Sequence, residues 1–329
     1  MKRSELRDSL AALILEGSLT LTAAEVTRQG GLSLEDGQRL WRALGFPDTG
    51  DAVAYGEGDV VAVAAVAAAL KAGLLDEETV FRMTRALGST MARLADWQVS
   101  TLVEQVERDV ESGKASSRLE AAVELAEAAA PGWEQLMKYA WRRHLAAAAA
   151  RMEALGAADA ELLSTTMTVG FADLSRFTSL SNGLDDNSLG ALVENFETRC
   201  ADIVTAHGGR VIKTLGDAVL FVTATPREGT RTALDMVKQI ASRPELPNIC
   251  VGLATGSVIS RLGDVFGPPV NLAARLSHVA RSNRVLVDDK TAAGLDGEFD
   301  TRTLPPRPLR GFGNVSPITV SERRGFRSR

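Results

Sequence analysis

The spacing of apolar residues changes near residue 160, and this change constrains the fold more than any other feature of the chain. Before it, segments rich in Ala, Leu, Glu and Arg carry apolar residues at helical spacing. After it, β-rich segments alternate with helical ones in the order β-α-β-β-α-β, with further elements appended. We therefore expect an α+β protein. An all-α domain with its linker helix would span residues 1–156, and a ferredoxin-like domain, an antiparallel sheet with helices on one face, would span residues 157–329.

Glycine and proline mark the expected helix ends in the first half. We expect breaks at Gly88-Ser89 and at Pro131-Gly132, each of which would divide a long helical segment into two. The run from Val60 to Leu75 predicts a helix of small residues that is buried all round.

Composition argues against several classes of protein. A hydrophobic content of 45% is enough for a packed core, and a net charge of -5 argues against broad nucleic-acid coating or polybasic membrane binding. The longest apolar run, residues 60–70, has 11 residues, whereas a membrane span needs roughly 20. Cys200 and Cys250 lie in apolar segments and are expected to be buried thiols in a reducing compartment. We therefore expect a cytoplasmic protein that does not bind membranes.

Two aspartates in the second half are placed where they can meet. Asp173 ends a predicted strand, and Asp217 lies at the tip of a predicted hairpin. Two carboxylates held together repel each other unless a cation lies between them, so the pair predicts Mg²⁺ or Mn²⁺. The segment after Asp173, which includes Leu174, Phe177 and Thr178, would offer backbone N–H groups to phosphate oxygens. The alternative is that Asp173 caps a helix and Asp217 is an ordinary hairpin acid.

Three sequence blocks, taken in order, resemble the catalytic domain of class III nucleotidyl cyclases over residues 167–320. The blocks are Phe171-Ala172-Asp173-Leu174 with Phe177-Thr178; Gly208-Gly209 with Lys213 and Gly216-Asp217; and Asp264-Val265-Phe266-Gly267 with Asn271 and Arg275. Each string is weak alone, but their order along the chain is specific. The resemblance implies cyclisation of a nucleoside triphosphate by attack of the ribose 3′-oxygen on the α-phosphorus, with release of pyrophosphate.

The resemblance also implies a role for each matched residue. Asp173 and Asp217 would bind two metal ions per site, Lys213 and Asp264 would read the base, Asn271 would orient the ribose, and Arg275 would neutralise charge in the transition state. A lysine only donates hydrogen bonds and an ionised aspartate only accepts them, which complements the acceptor N1 and donor N6 of adenine. We therefore expect ATP as the substrate. Asn271 and Arg275 are four residues apart and should project from one helix face.

Members of this family build each site from two chains, so the resemblance implies a homodimer. The late basic segment departs from the family pattern. Arg310 stands where some members have a phosphate-binding lysine, and Phe312 occupies the neighbouring position.

The first half resembles the regulatory domain of soluble actinobacterial cyclases, on the strings Trp41-Arg42-Ala43-Leu44-Gly45-Phe46-Pro47 and Leu94-Ala95-Asp96-Trp97-Gln98. We expect this domain to control the catalytic domain through the connecting helix. His144 lies on that helix, and its protonation would make activity depend on pH. The apolar helices could also enclose an apolar ligand such as a fatty acid. The alternatives are an exposed helix histidine and a plain packed core.

Two rival functions come from other classes of protein. Residues 21–41 resemble a helix-turn-helix around Gly30-Gly31, but the second helix carries Glu35 and Asp36, which suits phosphate contact poorly, so DNA binding is not favoured. A non-catalytic nucleotide sensor that keeps the cyclase fold is the other alternative.

Overall fold

A computed structural model describes residues 10–154, 164–175, 177–261 and 263–323. The chain divides into two compact units, Met1–Arg151 and Met152–Arg329. Within the described residues, every helix is too short or too polar to cross a lipid bilayer.

The first unit is helical. Its helices are α1 (Ala23–Gly30), α2 (Leu34–Leu44), α3 (Glu57–Ala72), α4 (Glu77–Glu111) and α5 (Arg118–Ala154). A capping box begins α1, in which Thr22 accepts from the Glu25 N–H, and Gly31 ends it in the left-handed conformation with φ 81°. Val26, Leu40, Trp41, Val63 and Phe81 are among the residues that form its core.

Both expected helix breaks in this unit are wrong. Gly88 lies inside the continuous helix α4. At this point α4 passes so close to Leu44 that a Cβ on residue 88 would stand 2.3 Å from the Leu44 carbonyl oxygen, and only glycine allows that contact. Pro131 lies inside α5, where Trp133 packs on Trp97 of α4 with ring centroids 6.4 Å apart. Packing between the helices outweighs the local cost of the proline.

The expectation that the Val60–Leu75 helix is buried all round is also wrong. Within α3 only Val63 is buried, and Val61 is 70% exposed in the single chain. One face of α3 rests on α1, where Gly30 leaves room for the Val63 side chain. The side of α3 that carries Val61 is apolar but exposed.

The second unit is built on one mixed sheet with the strand order β2-β3-β1-β4-β6-β10-β7. Its strands are β1 (Ser164–Leu174), β2 (Arg210–Thr214), β3 (Ala218–Thr223), β4 (Ile249–Arg261), β5 (Asp264–Phe266), β6 (Arg284–Val287), β7 (Phe299–Thr303), β8 (Arg307–Leu309), β9 (Gly313–Val315) and β10 (Ile318–Glu322). Its helices are α6 (Phe177–Ser181), α7 (Asp186–Ala206), α8 (Pro226–Ala241), α9 (Pro268–Val279) and α10 (Asp289–Ala293). The order β2-β3-β1-β4 is the predicted ferredoxin-like core, and β4 pairs with the added β6 in parallel.

Helices cover both faces of this sheet, and not one face as expected. Side chains alternate along β1, so Ala172 and Leu174 pack with α7 and α8, whereas Val169 and Phe171 pack with α9. Apolar residues at both odd and even positions of β1 therefore indicate a strand that is buried on both faces of the sheet. Asp173 is two residues from Phe171 and therefore lies on the same face of the sheet, the face that packs with α9.

Candidate active site

Asp173 and Asp217 lie side by side at one end of the sheet. Asp173 is paired with Ala218 of β3, and Asp217 is the residue directly before that strand. The Leu174 N–H donates to the Asp217 carbonyl oxygen at 2.8 Å, which holds the hairpin tip against β1. Gly216 allows the tight turn with a φ of 74°. The structure therefore brings the two carboxylates together.

The electrostatics of this pair suit a cation. Burial raises the pKa of the Asp173 carboxyl, the charge of Asp217 raises it further, and His278 opposes the shift. A divalent ion beside both carboxylates would relieve their repulsion. No group of three or more His, Cys, Asp or Glu side chains in the described parts of the chain could hold a metal. Asp173 and Asp217 are the residues that could hold such an ion, and one or two carboxylates completed by water and substrate oxygens are typical of Mg²⁺ sites.

A cleft of about 680 Å³ opens beside the carboxylates. Its other polar lining residues come from the end of β1, the start of β4 and the end of α9: Ser175, Cys250, Ser277, His278, Arg281 and Ser282. The cleft therefore joins two acids to a wall that carries cationic and hydroxyl side chains.

Lys213 and Asp264 form an ion pair on β2 and β5, with 2.5 Å between Nζ and Oδ2. Burial raises the pKa of Asp264, but the hydrogen bonds from Lys213 and the Val265 N–H outweigh burial, so its pKa is lowered. Lys213 and Asp264 are 51 positions apart in the chain but are held within hydrogen-bond distance. A hydrogen-bond donor therefore lies beside an acceptor.

Asn271 and Arg275 are both exposed and lie one turn apart on α9. Between them, the buried Ala273 packs on the sheet, and Gly252 admits the helix because a Cβ there would stand 2.2 Å from the Ala273 carbonyl oxygen. Neither Asn271 nor Arg275 lines the cleft of Asp173 and Asp217. Within one chain, the structure does not bring them to the two acids.

Comparison with known proteins decides the family. The model for the adenylate and guanylate cyclase catalytic domain matches residues 161–320. A protein of Streptomyces coelicolor named adenylate cyclase is 38% identical over 96% of this chain and 90% of its own. The chain belongs to the adenylate and guanylate cyclase family.

Two further similarities accompany this assignment. The cyclase is 30% identical to a Mycobacterium tuberculosis protein named pH-sensitive adenylate cyclase, over 95% of this chain and 80% of that protein. The solved structure of the adenylyl cyclase CyaB from P. aeruginosa has a TM-score of 0.46 and 22% identity, and the match covers 50% of this chain and 98% of that one.

The segment after Asp173 departs from expectation in this cyclase. The Leu174 N–H donates to Asp217 and the Ser175 N–H donates to Asn248, so neither is free for a phosphate. The Leu174 side chain is buried, and Phe177 packs against the same core. The N–H groups of Phe177 and Thr178 lie in the first turn of α6, where a helix has no partner for them.

The remaining predicted residues lie elsewhere. Arg310 is exposed in the turn between β8 and β9, whereas Phe312 packs against the cluster that contains Leu309. His144 is exposed on α5.

Sequence reasoning missed part of the cleft of the cyclase. Cys200 is buried, but Cys250 is partly exposed and lines the cleft. Its Sγ donates to the Ala280 carbonyl oxygen at 3.3 Å and lies 3.2 Å from the Ser175 hydroxyl. His278, near the end of α9, also lines the cleft.

Proposed function

We propose that this cyclase converts ATP to 3′,5′-cyclic AMP and pyrophosphate. The observation that carries the proposal is the pair of carboxylates, Asp173 and Asp217, held together by the Leu174–Asp217 hydrogen bond in an open cleft. The names of the relatives support the adenylate activity. The reaction is intramolecular: the ribose 3′-hydroxyl loses its proton, and its oxygen forms a bond to the α-phosphorus. The bond from the α-phosphorus to the oxygen shared with the β-phosphate breaks, and pyrophosphate leaves.

Asp173 and Asp217 would hold two Mg²⁺ or Mn²⁺ ions. When bound, such ions lower the pKa of the attacking hydroxyl and neutralise charge on the phosphates. Without an ion, the raised pKa of Asp173 shows that its negative charge is disfavoured by burial and by Asp217. The unfavourable free energy of this charge supports the binding of a cation beside Asp173 and Asp217.

Lys213 and Asp264 would select adenine. The Lys213 ammonium can donate to N1 of adenine, and the Asp264 carboxylate can accept from N6. In guanine the donor and acceptor are exchanged at these positions. The Lys213 ammonium would therefore face a donor, and the Asp264 carboxylate would face an acceptor. The ion pair keeps both side chains in place before the base arrives.

Asn271 and Arg275 would act in the site of a second copy of the chain. They are exposed, lie on one helix face, and are outside the cleft of their own Asp173. A two-fold homodimer would place them against the partner's carboxylates and form two equivalent sites. Asn271 would orient the ribose, and Arg275 would stabilise charge on the transition-state phosphate. The N–H groups of Phe177 and Thr178, and the side chain of Arg310, would contact the phosphates.

We also propose that the helical unit regulates the catalytic unit, with His144 as a proton sensor. His144 is exposed on α5, which ends at Ala154, ten residues before β1 begins at Ser164. The pH-sensitive relative supports a pH response. An apolar ligand is not supported in the same way: the pocket beside Trp41 and Tyr55 has a volume of about 10 Å³, which holds no more than one water molecule.

DNA binding is not favoured by the structure. Helices α1 and α2 do form a helix-turn-helix around Gly31. However, Arg39 of α2 is paired with Glu77 and lies 4.0 Å from the Phe81 ring centroid, so it is engaged within its own unit. Glu35 and Asp36 remain at the start of the helix that would meet phosphates.

The decisive experiment measures cyclic AMP formed from ATP with Mn²⁺ or Mg²⁺. Asp217→Ala should lower turnover by about a thousandfold or more, because it removes one of two metal-binding carboxylates. Mixing Asp173→Ala chains with Arg275→Ala chains should restore activity, because each heterodimer keeps one complete site. The proposal fails if wild-type protein makes no cyclic AMP with either ion, and site sharing fails if the mixture stays inactive.

A further inference from the structure

A second groove lies beside the cleft of the two carboxylates, on the face of the sheet that carries α9. It has a volume of about 560 Å³ and is lined by strands β6, β7 and β10 and by the residues that follow α9. Thr319 of β10 stands between Leu286 of β6 and Arg302 of β7 in the strand register. The helix α9 ends at Val279, which also lines the groove.

Four arginines line this groove: Arg281, Arg284, Arg302 and Arg307. All four are exposed, and none forms an ion pair within the described ranges. Other arginines of the same unit behave differently, since Arg227 and Arg231 pair with Glu298. The groove is therefore a concentration of uncompensated positive charge on a chain whose net charge is -5.

The acid that lines the groove does not neutralise these arginines. Asp300 is paired with Arg323, with 2.9 Å between Oδ1 and Nε. The floor between the arginines offers the hydroxyl groups of Thr319 and Ser321, which can donate to an oxyanion. One guanidinium group can donate two parallel hydrogen bonds to two oxygens of a phosphate. A small phosphoanion therefore matches this lining of several arginines better than a single carboxylate does.

Arg281 connects the groove to the cleft, because it lines both. A diphosphate that leaves the cleft would meet Arg281 first and then the other three arginines. We propose that the groove is a binding site for inorganic pyrophosphate, which receives the product after it leaves the carboxylate cleft. The identity of the anion rests on the proposed function, whereas the anion site itself rests on the four arginines.

Calorimetric titration of inorganic pyrophosphate into the full chain, in EDTA and without nucleotide, tests the anion site. The cleft acids repel pyrophosphate when no cation is present, so binding should report the groove. The double variant Arg302→Gln/Arg307→Gln should weaken binding by about tenfold or more, since it removes two charge-assisted contacts. Arg243→Gln, an exposed arginine whose partner is Glu245, is the matched control and should bind like wild type.

Asp217→Ala separates this proposal from the proposed function. It should abolish turnover but leave pyrophosphate binding unchanged, because Asp217 does not line the groove. Absence of saturable binding to wild type, or equal binding by the double variant, would overturn the groove proposal. Normal binding without any turnover in wild type would overturn only the proposed function.

Product inhibition distinguishes released pyrophosphate from the phosphates of bound ATP. In the double variant, the inhibition constant of pyrophosphate should rise by about tenfold, while KM for ATP stays within about twofold. If KM rises and the inhibition constant does not, the groove holds substrate phosphates, and the proposal of a product site is wrong.

Discussion

The two units of this cyclase bury their apolar residues in different ways. The catalytic unit covers its sheet on both faces, and large side chains such as Phe196, Phe221 and Met236 are fully buried. In the helical unit, large apolar side chains along α4 and α5 remain on the surface, among them Trp97, Trp141 and Leu145. The difference shows that the catalytic core is complete within one chain, whereas the long helices present an apolar surface that lacks a cover.

Exposed apolar surface of this kind is typical of interaction sites. A second copy of the chain is the occupant that agrees with the proposed homodimer, because α4 and α5 would then pack in a bundle. The comparison therefore predicts that substitutions in the catalytic core act on folding, whereas substitutions on the long helices act on association.

The largest expected effect is at the centre of the catalytic unit. Phe221→Ala should lower the free energy of unfolding by about 3–5 kcal/mol, because Phe221 is fully buried and its ring fills the space above Gly170. Leu136→Ala, on the exposed surface of α5, should change it by less than about 0.5 kcal/mol in the monomer. Urea unfolding measures both, and equal losses would contradict the comparison.

The next effect contrasts two glycines that lie inside the long helices. Gly88→Ala should destabilise the helical unit by about 1–3 kcal/mol, because its Cβ would collide with the Leu44 backbone. Gly132→Ala should instead stabilise it by up to about 1 kcal/mol, since open space surrounds Gly132 and alanine favours the helix. Thermal unfolding of the two variants should shift Tm in opposite directions. Shifts of the same sign would show that one of these helices is packed differently.

A smaller effect is expected on association. Trp141→Ser should raise the dimer dissociation constant by about tenfold, the cost of losing one aromatic anchor, and should leave monomer stability unchanged. Arg143→Ser is the matched control, because two positions along a helix turn the side chain to roughly the opposite face. Sedimentation equilibrium gives both constants. If Trp141→Ser leaves the dimer dissociation constant unchanged, this part of the helical surface does not lie in the dimer interface.

The smallest effect concerns the carboxylate pair and pH. In EDTA, Asp173→Asn should stabilise the catalytic unit at neutral pH, by about 1 kcal/mol or less. With Mn²⁺ or Mg²⁺ present, the same variant should lose turnover. The folded-state pKa of Asp173 is raised, so its ionisation favours the unfolded chain. This cost is present above the folded-state pKa and disappears as pH falls toward the ordinary value of 3.8. The gain in Tm should therefore shrink on acidification, whereas Glu194→Gln, an exposed mid-helix control, should show no such gain.

Local signals predicted the catalytic unit well. The hairpin of β2 and β3 around Asp217 agrees with expectation. Helix α8 shows how local signals begin a helix: Thr225 and Glu228 form a capping box, and Pro226 occupies the first turn. The order of the sequence blocks was enough to indicate the family. The meeting of Asp173 with Asp217 was expected from a strand end beside a hairpin tip, whereas the pairing of Lys213 with Asp264 was expected only from the family resemblance.

The errors have a common physical cause. Gly88 and Pro131 are helix breakers by intrinsic preference, but packing of α4 on Leu44 and of Trp133 on Trp97 outweighs that preference. Cys250 and His278 enter the cleft because the start of β4 and the end of α9 meet beside β1. No local pattern records such a meeting.

The amino-acid sequence by itself determined the helix caps, the strand alternation and the types of side chain available for chemistry, because these depend on neighbours within a few positions. Only the tertiary structure decided which acids share a cleft, which arginines stay unpaired beside it, and which glycines lie under a neighbouring backbone. Those properties arise from contacts between segments far apart in the chain, where burial and close packing set the energy.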